Sequence, residues 1–149
     1  TTKLKDVIAL LYSLGYEKIV LSSEIDLDIE LSHKVIQLEP QDLHHALAFS
    51  SICLSESITV AGEAAVLGVP TLLVNPLRAG HSLELERYGL IERHSELKSA
   101  LTRAAKLASD ETAIGIWSDA RARLLREKSD MTQAFMDIIL ESINARLRK

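Results

Sequence analysis

The chain has 149 residues, 47% of them hydrophobic, and a formal net charge of −4 at neutral pH. That suffices for one domain with a real core, roughly 70% of the unfolded surface being buried on folding, and it excludes a disordered, collagen-like or disulfide-stapled chain. Cations are scattered and aromatics are only 4%, which argues against a basic nucleic-acid stripe or a base-stacking platform. The lone cysteine, Cys53, lies in the apolar run Ile52-Cys53-Leu54 and reads as a small buried hydrophobe of a reducing, hence cytoplasmic, compartment. No apolar run approaches the roughly 20 residues of a membrane span, and no signal peptide opens the sequence.

Leu4, Val7, Ile8, Leu11 and Leu14 recur at helical spacing, and Gly15 supplies a C-cap. Lys18 to Ser22 predicts a short, continuously apolar strand of the kind buried on both faces of a parallel sheet. Residues 26–32 are polar and irregular, and His33 to Leu38 predicts a second strand ended by Pro40. Asp42 is placed to cap a helix through Phe49, and Ser51 to Leu54 predicts a third strand. A helix is expected from about Thr59 to Leu67, stopped by Gly68 and Pro70, with a fourth strand from Pro70 to Val74 broken by Asn75-Pro76. Ser82 to Tyr88 reads as helix, ended by Gly89. Three helical pieces follow, at about 95–108, 112–127 and 130–147, the last capped by Asp130 and carrying Met131, Phe135, Ile138, Ile139 and Ile143 on one face. Strands and helices alternate to about residue 90, so the expected architecture is α/β: an open parallel sheet flanked by helices, with a helical appendage from 95 to 149. In such sheets ligands bind beyond the carboxyl ends of the strands.

The most informative stretch is Ser55 to Pro70. A strand ends, small hydroxyl residues turn the chain, and a helix begins. The first-turn amides of a helix lack internal partners and carry partial positive charge, so a phosphate or diphosphate is a natural occupant, with Ser57 and Thr59 adding hydroxyl donors. The helix is almost wholly small and apolar, yet carries Glu63 in its second turn. An ionised carboxylate can accept two hydrogen bonds, as vicinal ribose hydroxyls would give. The plainer alternative is that Ser57 only caps the helix and Glu63 only reaches water.

This stretch resembles the signature of the C-terminal domain of the GT-B superfamily. In UDP-N-acetylglucosamine 2-epimerases the corresponding segment has a serine, two glycines, a glutamate six residues after the serine, and a leucine-glycine-x-proline end. Ser57, Glu63, Leu67-Gly68 and Pro70 match it. The resemblance implies that the Ser57 turn, with Ile58 and Thr59, meets a diphosphate and that Glu63 holds the ribose. The chain is still more similar to the family called domain of unknown function 354. The shared residues are Ser22-Ser23-Glu24, Pro40 with His44, the block from Glu56 to Pro70, the stretch from Leu85 to Leu90, and Asp130, Thr132 and Phe135. Family position implies a pocket-facing His44, and Glu39 with Pro40 would frame the base.

Two departures stand out. Ile58 and Thr59 replace the glycines of the epimerases, and glycine is what lets a phosphate approach the backbone closely. The N-terminal GT-B domain and the first strand of this one are expected to be missing, which puts the catalytic groups outside the sequence. Arg78, Gly80, His81 and Ser82 form the loop after the fourth strand; Arg78 could answer diphosphate charge, and a solvated loop is the alternative. Adjacent His44 and His45 point about 100° apart on a helix and make no shared metal site. There is no P-loop, no GxGxxG, no metal-spaced His/Cys cluster and no serine-nucleophile elbow. Arg121, Arg123, Arg126 and Lys128 read as a solvated helix face.

The expectation is a nucleotide-sugar-binding domain, UDP-linked, of a GT-B-type glycosyltransferase or sugar 2-epimerase-like protein. The nucleotide-sugar is then a substrate, no separate cofactor or metal is implied, and the other partner is the absent N-terminal domain of the same polypeptide. The alternative is a non-catalytic interaction module that keeps the fold and has lost nucleotide binding. A receiver-like domain is disfavoured, because no strand end offers paired aspartates. The apolar face of the last helix leaves a homodimer open.

Overall fold

The computed structural model describes residues 4–22 and 35–147. Helix α1, Leu4–Ser13, buries Val7 and Ile8, and the chain turns at Gly15 with φ +90°, a conformation that favours glycine. Strand β1, Val20–Leu21, pairs in parallel with β2, Ile36–Gln37. A 3-10 turn at Pro40–Asp42 then runs straight into α2, Leu43–Ala48. The second sheet has three parallel strands in sequence order: β3, Cys53–Ser55; β4, Thr71–Val74; and β5, Ile91–His94. Helix α3, Ile58–Leu67, connects β3 to β4, and α4, Gly80–Arg87, connects β4 to β5. Three helices end the chain: α5, Leu97–Ala108; α6, Ala113–Glu127; and α7, Met131–Leu147.

Both faces of β5 are covered. Arg93 reaches Ser82 and Glu86 of α4, whereas its neighbours Glu92 and His94, pointing the opposite way, reach Arg103 and Ser99 of α5. Alternation along a strand therefore puts helices on both sides of the sheet, the layering that all-parallel strands require. This is a Rossmann-like α/β arrangement with a long C-terminal helix.

The core follows from residue size. Leu72 and Leu73 of β4 are fully buried, and Ala61 and Ala65 of α3 pack with them, together with Leu85, Leu90, Ala100, Ala104 and Trp117. On the other side of α3, Ala64 joins Leu47, Cys53 and Val69. Alanine at these positions lets the α3 backbone approach both β3–β4 and α2. Trp117 satisfies its indole N–H by donating to the Leu90 carbonyl at 3.1 Å. Gly68 ends α3 in the left-handed region, φ +86°, and its N–H returns to the Ala64 and Ala65 carbonyls.

The sequence reading missed β5. Ile91-Glu92-Arg93-His94 has one apolar residue in four, and its strand character comes from pairing with β4 and from side chains satisfied by the flanking helices. The third strand begins at Cys53 rather than Ser51, and α4 begins at Gly80, two residues earlier than expected. Asp42 makes no side-chain cap, because it closes the 3-10 turn with helical backbone angles. The basic run of α6 is not simply solvated. Arg121 donates to the Val66 carbonyl, Arg123 to the Tyr88 carbonyl, and Lys128 to Glu84. The first two acceptors lie at the ends of α3 and α4, where carbonyls lack helical partners. Asp130 does cap α7, accepting from the Thr132 and Gln133 amides at 2.8 and 3.4 Å. Residues 26–32, Ser23, Glu24 and His33 lie outside the described residues, so the expectations placed on them stay as sequence readings.

Candidate functional site

The parallel strands set the stage: the segments after β3, β4 and β5 all leave the same edge of the sheet. After β3, Ser55 turns the chain by accepting the Ser57 amide at 3.0 Å and donating to the Ser57 carbonyl at 3.1 Å. Ser57 then caps α3, its Oγ accepting the Val60 amide at 3.3 Å and its carbonyl accepting the Ala61 amide at 3.0 Å. That leaves the amides of Ile58 and Thr59 without a partner among the described residues. Ser57 and Thr59 are exposed. Ile58 is half-buried and packs against the main core.

Glu63 lies six residues beyond Ser57, about 9 Å along the helix axis at 1.5 Å per residue. Thr59 and Glu63, four apart, share a face of α3. The Glu63 carboxylate is about one-third exposed and meets His44 Nε2 of α2 at 3.5 Å. His44 itself is two-thirds exposed, so the pair is screened by water and adds little stability. The structure thus brings together Ser57, Thr59, Glu63 and His44 along one helix and its neighbour. Glu39 is exposed just before the 3-10 turn that launches α2, its carbonyl accepting the Asp42 amide at 2.9 Å.

His81 reaches α3 from α4. A methyl group built on Gly62 would lie 3.7 Å from His81 Cδ2, so the exposed imidazole rests over Gly62. His44 and His81 consequently approach α3 through different residues, Glu63 and Gly62. Arg78 is exposed in the loop after β4 and makes no hydrogen bond or ion pair among the described residues.

Two residues that organise this edge were given no role from sequence. Asn75 donates from Nδ2 to the Glu56 carbonyl at 2.8 Å and accepts the Leu77 amide at 2.9 Å, tying the β4 loop to the β3 turn. Arg93, only 12% exposed, donates to the Asn75 and Leu77 carbonyls at 2.6 and 2.7 Å, to Ser82 Oγ at 2.8 Å and to Glu86. The loop that carries Arg78 is therefore fixed from beneath by one guanidinium and its carboxylate, Glu86. The signal for Asn75 was the Asn-Pro pair after an apolar strand; for Arg93 there was none short of recognising β5.

The two described cavities lie elsewhere. One of about 260 Å³ is lined by residues including Tyr16, Ser51, Pro70, Asp110 and Ile114, and one of about 220 Å³ by residues including Ser50, Gly68, Pro70, Ile114 and Arg121. Ser51 and Pro70 precede β3 and β4, so both cavities sit at the amino ends of the strands. The carboxyl edge carries the open amides of α3, and these two cavities lie at the amino edge. Among the described residues no group of three or more His, Cys, Asp or Glu is placed to hold a metal, and no helix is long and apolar enough to cross a membrane. No family model, no curated protein and no solved structure matches the chain.

Proposed function

We propose that the carboxyl edge of the sheet binds a nucleotide-sugar, UDP-linked, as the C-terminal half of a GT-B-type glycosyltransferase or sugar 2-epimerase-like protein. The observation that carries this reading is the Ser57 turn. The Ile58 and Thr59 amides at the start of α3 have no partner among the described residues, the Ile58 side chain packs partly against the core, and Glu63 stands six residues beyond Ser57 with its carboxylate about one-third exposed. The amides and the Ser57 and Thr59 hydroxyls would hold the diphosphate. Glu63 would accept the ribose hydroxyls, His44 would steady Glu63, and Glu39 would border the base. Arg78 and His81 would close the phosphate side. Reacting groups would come from a second domain across the edge.

The second reading, an interaction module without nucleotide, draws on a specific observation: both cavities lie at the opposite edge. Calorimetric titration with UDP and UDP-N-acetylglucosamine separates the two. Binding by this chain that weakens roughly 10- to 100-fold in Glu63→Ala, the loss of one or two hydrogen bonds to a charged group, supports the nucleotide site. Uptake of neither ligand at millimolar concentration leaves a pocket completed by the second domain or a lost site, and the same titration on a chain carrying that domain decides between them, no uptake there meaning the interaction module.

A further inference from the structure

The ladder between β3 and β4 ends where Ser55 stands opposite Leu73. Beyond that point the two segments part: Glu56 and Ser57 lead into α3, and Asn75 to Ala79 lead into α4. One side chain bridges them where the ladder has stopped. Asn75 Nδ2 donates to the Glu56 carbonyl at 2.8 Å, and Asn75 Oδ1 accepts the Leu77 amide at 2.9 Å. The Asn75 carbonyl accepts from Arg93 at 2.6 Å, and the same guanidinium nitrogen holds the Leu77 carbonyl at 2.7 Å.

The two residues bridged by the Asn75 amide group each stand next to a residue of the candidate site. Glu56 precedes Ser57, whose hydroxyl and carbonyl hold the first turn of α3. Leu77 precedes Arg78. An asparagine turn needs only the side-chain oxygen, to accept the amide two residues on. The bond from the nitrogen adds nothing to that turn; it joins the β4 loop to a different segment. Asparagine carries a donor and an acceptor on one short planar group, whereas an ionised aspartate of the same shape can only accept.

We propose that Asn75 is a positioning residue that makes the Ser57 turn and the Arg78 loop one unit. The open amides of α3 and the backbone that carries Arg78 are then held at one spacing before a phosphorylated ligand arrives, so less of its affinity is lost to ordering. The part of this that concerns a ligand rests on the nucleotide-sugar reading; the coupling of the two segments does not.

Amide hydrogen exchange, followed by nuclear magnetic resonance on the whole chain without ligand, tests the coupling. Asn75→Asp keeps the oxygen that accepts the Leu77 amide and loses the donor to Glu56. The Ser57 and Val60 amides should then exchange about fivefold faster, as expected for one lost hydrogen bond, with Leu77 and the core residue Leu72 within about twofold of the parent chain. Asn75→Ala, which carries no added charge, should speed Ser57, Val60 and Leu77 and again spare Leu72. Unchanged exchange at Ser57 and Val60 in both variants, or an equal rise at Leu72 that marks a general loss of stability, would overturn the proposal. Titration with UDP then reads the consequence for binding. The losses of affinity in Asn75→Ala and Arg78→Ala should combine to clearly less than their product in the double variant, because one acts through the other. A full product would overturn the positioning of Arg78. Absence of UDP binding by the parent chain would count against the nucleotide reading, and the exchange comparison would still decide the coupling.

Discussion

Arg93→Met is the substitution that most directly tests how the carboxyl edge is built. Methionine keeps the length of the buried stem and deletes the guanidinium. Five hydrogen bonds go with it: two to Glu86 Oε1, one to Ser82 Oγ, and one each to the Asn75 and Leu77 carbonyls. Removing one partner of a buried ion pair costs about 3–5 kcal/mol, mostly because the other charge is left without compensation. Glu86 is 21% exposed, so water recovers part of that, and the lower end, about 3 kcal/mol, is expected. Against a total of about 5–15 kcal/mol for a domain of this size, that is a large share. With a urea m-value near 2 kcal/mol/M, the unfolding midpoint should fall by about 1.5 M. Adding Glu86→Leu removes the orphaned carboxylate, so the double variant should recover about 1–2 kcal/mol, with the two loop carbonyls still lacking donors. A loss below about 1 kcal/mol for Arg93→Met, or a double variant no more stable than the single, would refute the account of Arg93 as the group that fixes the β4 loop.

The glycines of α3 should respond in opposite senses. Gly62→Ala meets His81 only at ordinary contact distances, so the better helix propensity of alanine should raise stability by about 0.5–1 kcal/mol, readable as a higher melting temperature. Gly68→Ala should lower it by about 1–2 kcal/mol or more, because φ is +86° and the added methyl would lie 2.9 Å from Arg121 Cδ. Burial pushes the Cys53 thiol up to about 11, so the folded state keeps its proton where the unfolded state loses it. Stability should therefore be full below about pH 8.5 and decline as pH rises toward 11, by roughly 2–3 kcal/mol from this one group. Ellman's reagent at pH 8 should react with Cys53 only when the chain unfolds; prompt reaction with native protein would contradict the burial.

The alternation of short strands and helices was legible because β3 and β4 lie in apolar runs and α1, α3 and α4 are followed by glycines with positive φ, Gly15, Gly68 and Gly89. β5 escaped because three of its four side chains are polar and are satisfied by residues distant in the chain: Glu86 and Ser82 for Arg93, Arg103 for Glu92, Ser99 for His94. No local pattern encodes such partners. The same limit hid the role of Arg121, whose acceptor is a carbonyl 55 residues away. At the candidate site, spacing alone placed Ser57, Thr59 and Glu63 on one stretch of helix. The approach of His44 to Glu63 depended instead on how α2 packs against α3, which small residues such as Ala64 permit.

Ile58 decides how much weight the missing glycines of the epimerase pattern should bear. Glycine there removes a side chain that could stand between the helix amides and a phosphate. In this chain the half-buried isoleucine packs against the core and anchors the first turn of α3, and under the nucleotide-binding reading it would leave the amides open. Two consequences separate this view from one in which Ile58 blocks the site. Ile58→Ala should cost about 1–2 kcal/mol of stability, less than a fully buried isoleucine because the residue is only half-buried. Under the nucleotide-binding reading, it should leave UDP affinity within about twofold, since 0.4 kcal/mol is the corresponding free energy. A tenfold gain in affinity with little loss of stability would mean that the side chain overhangs the amides, and the replacement of glycine would then be a genuine obstruction rather than a change in how the helix is seated.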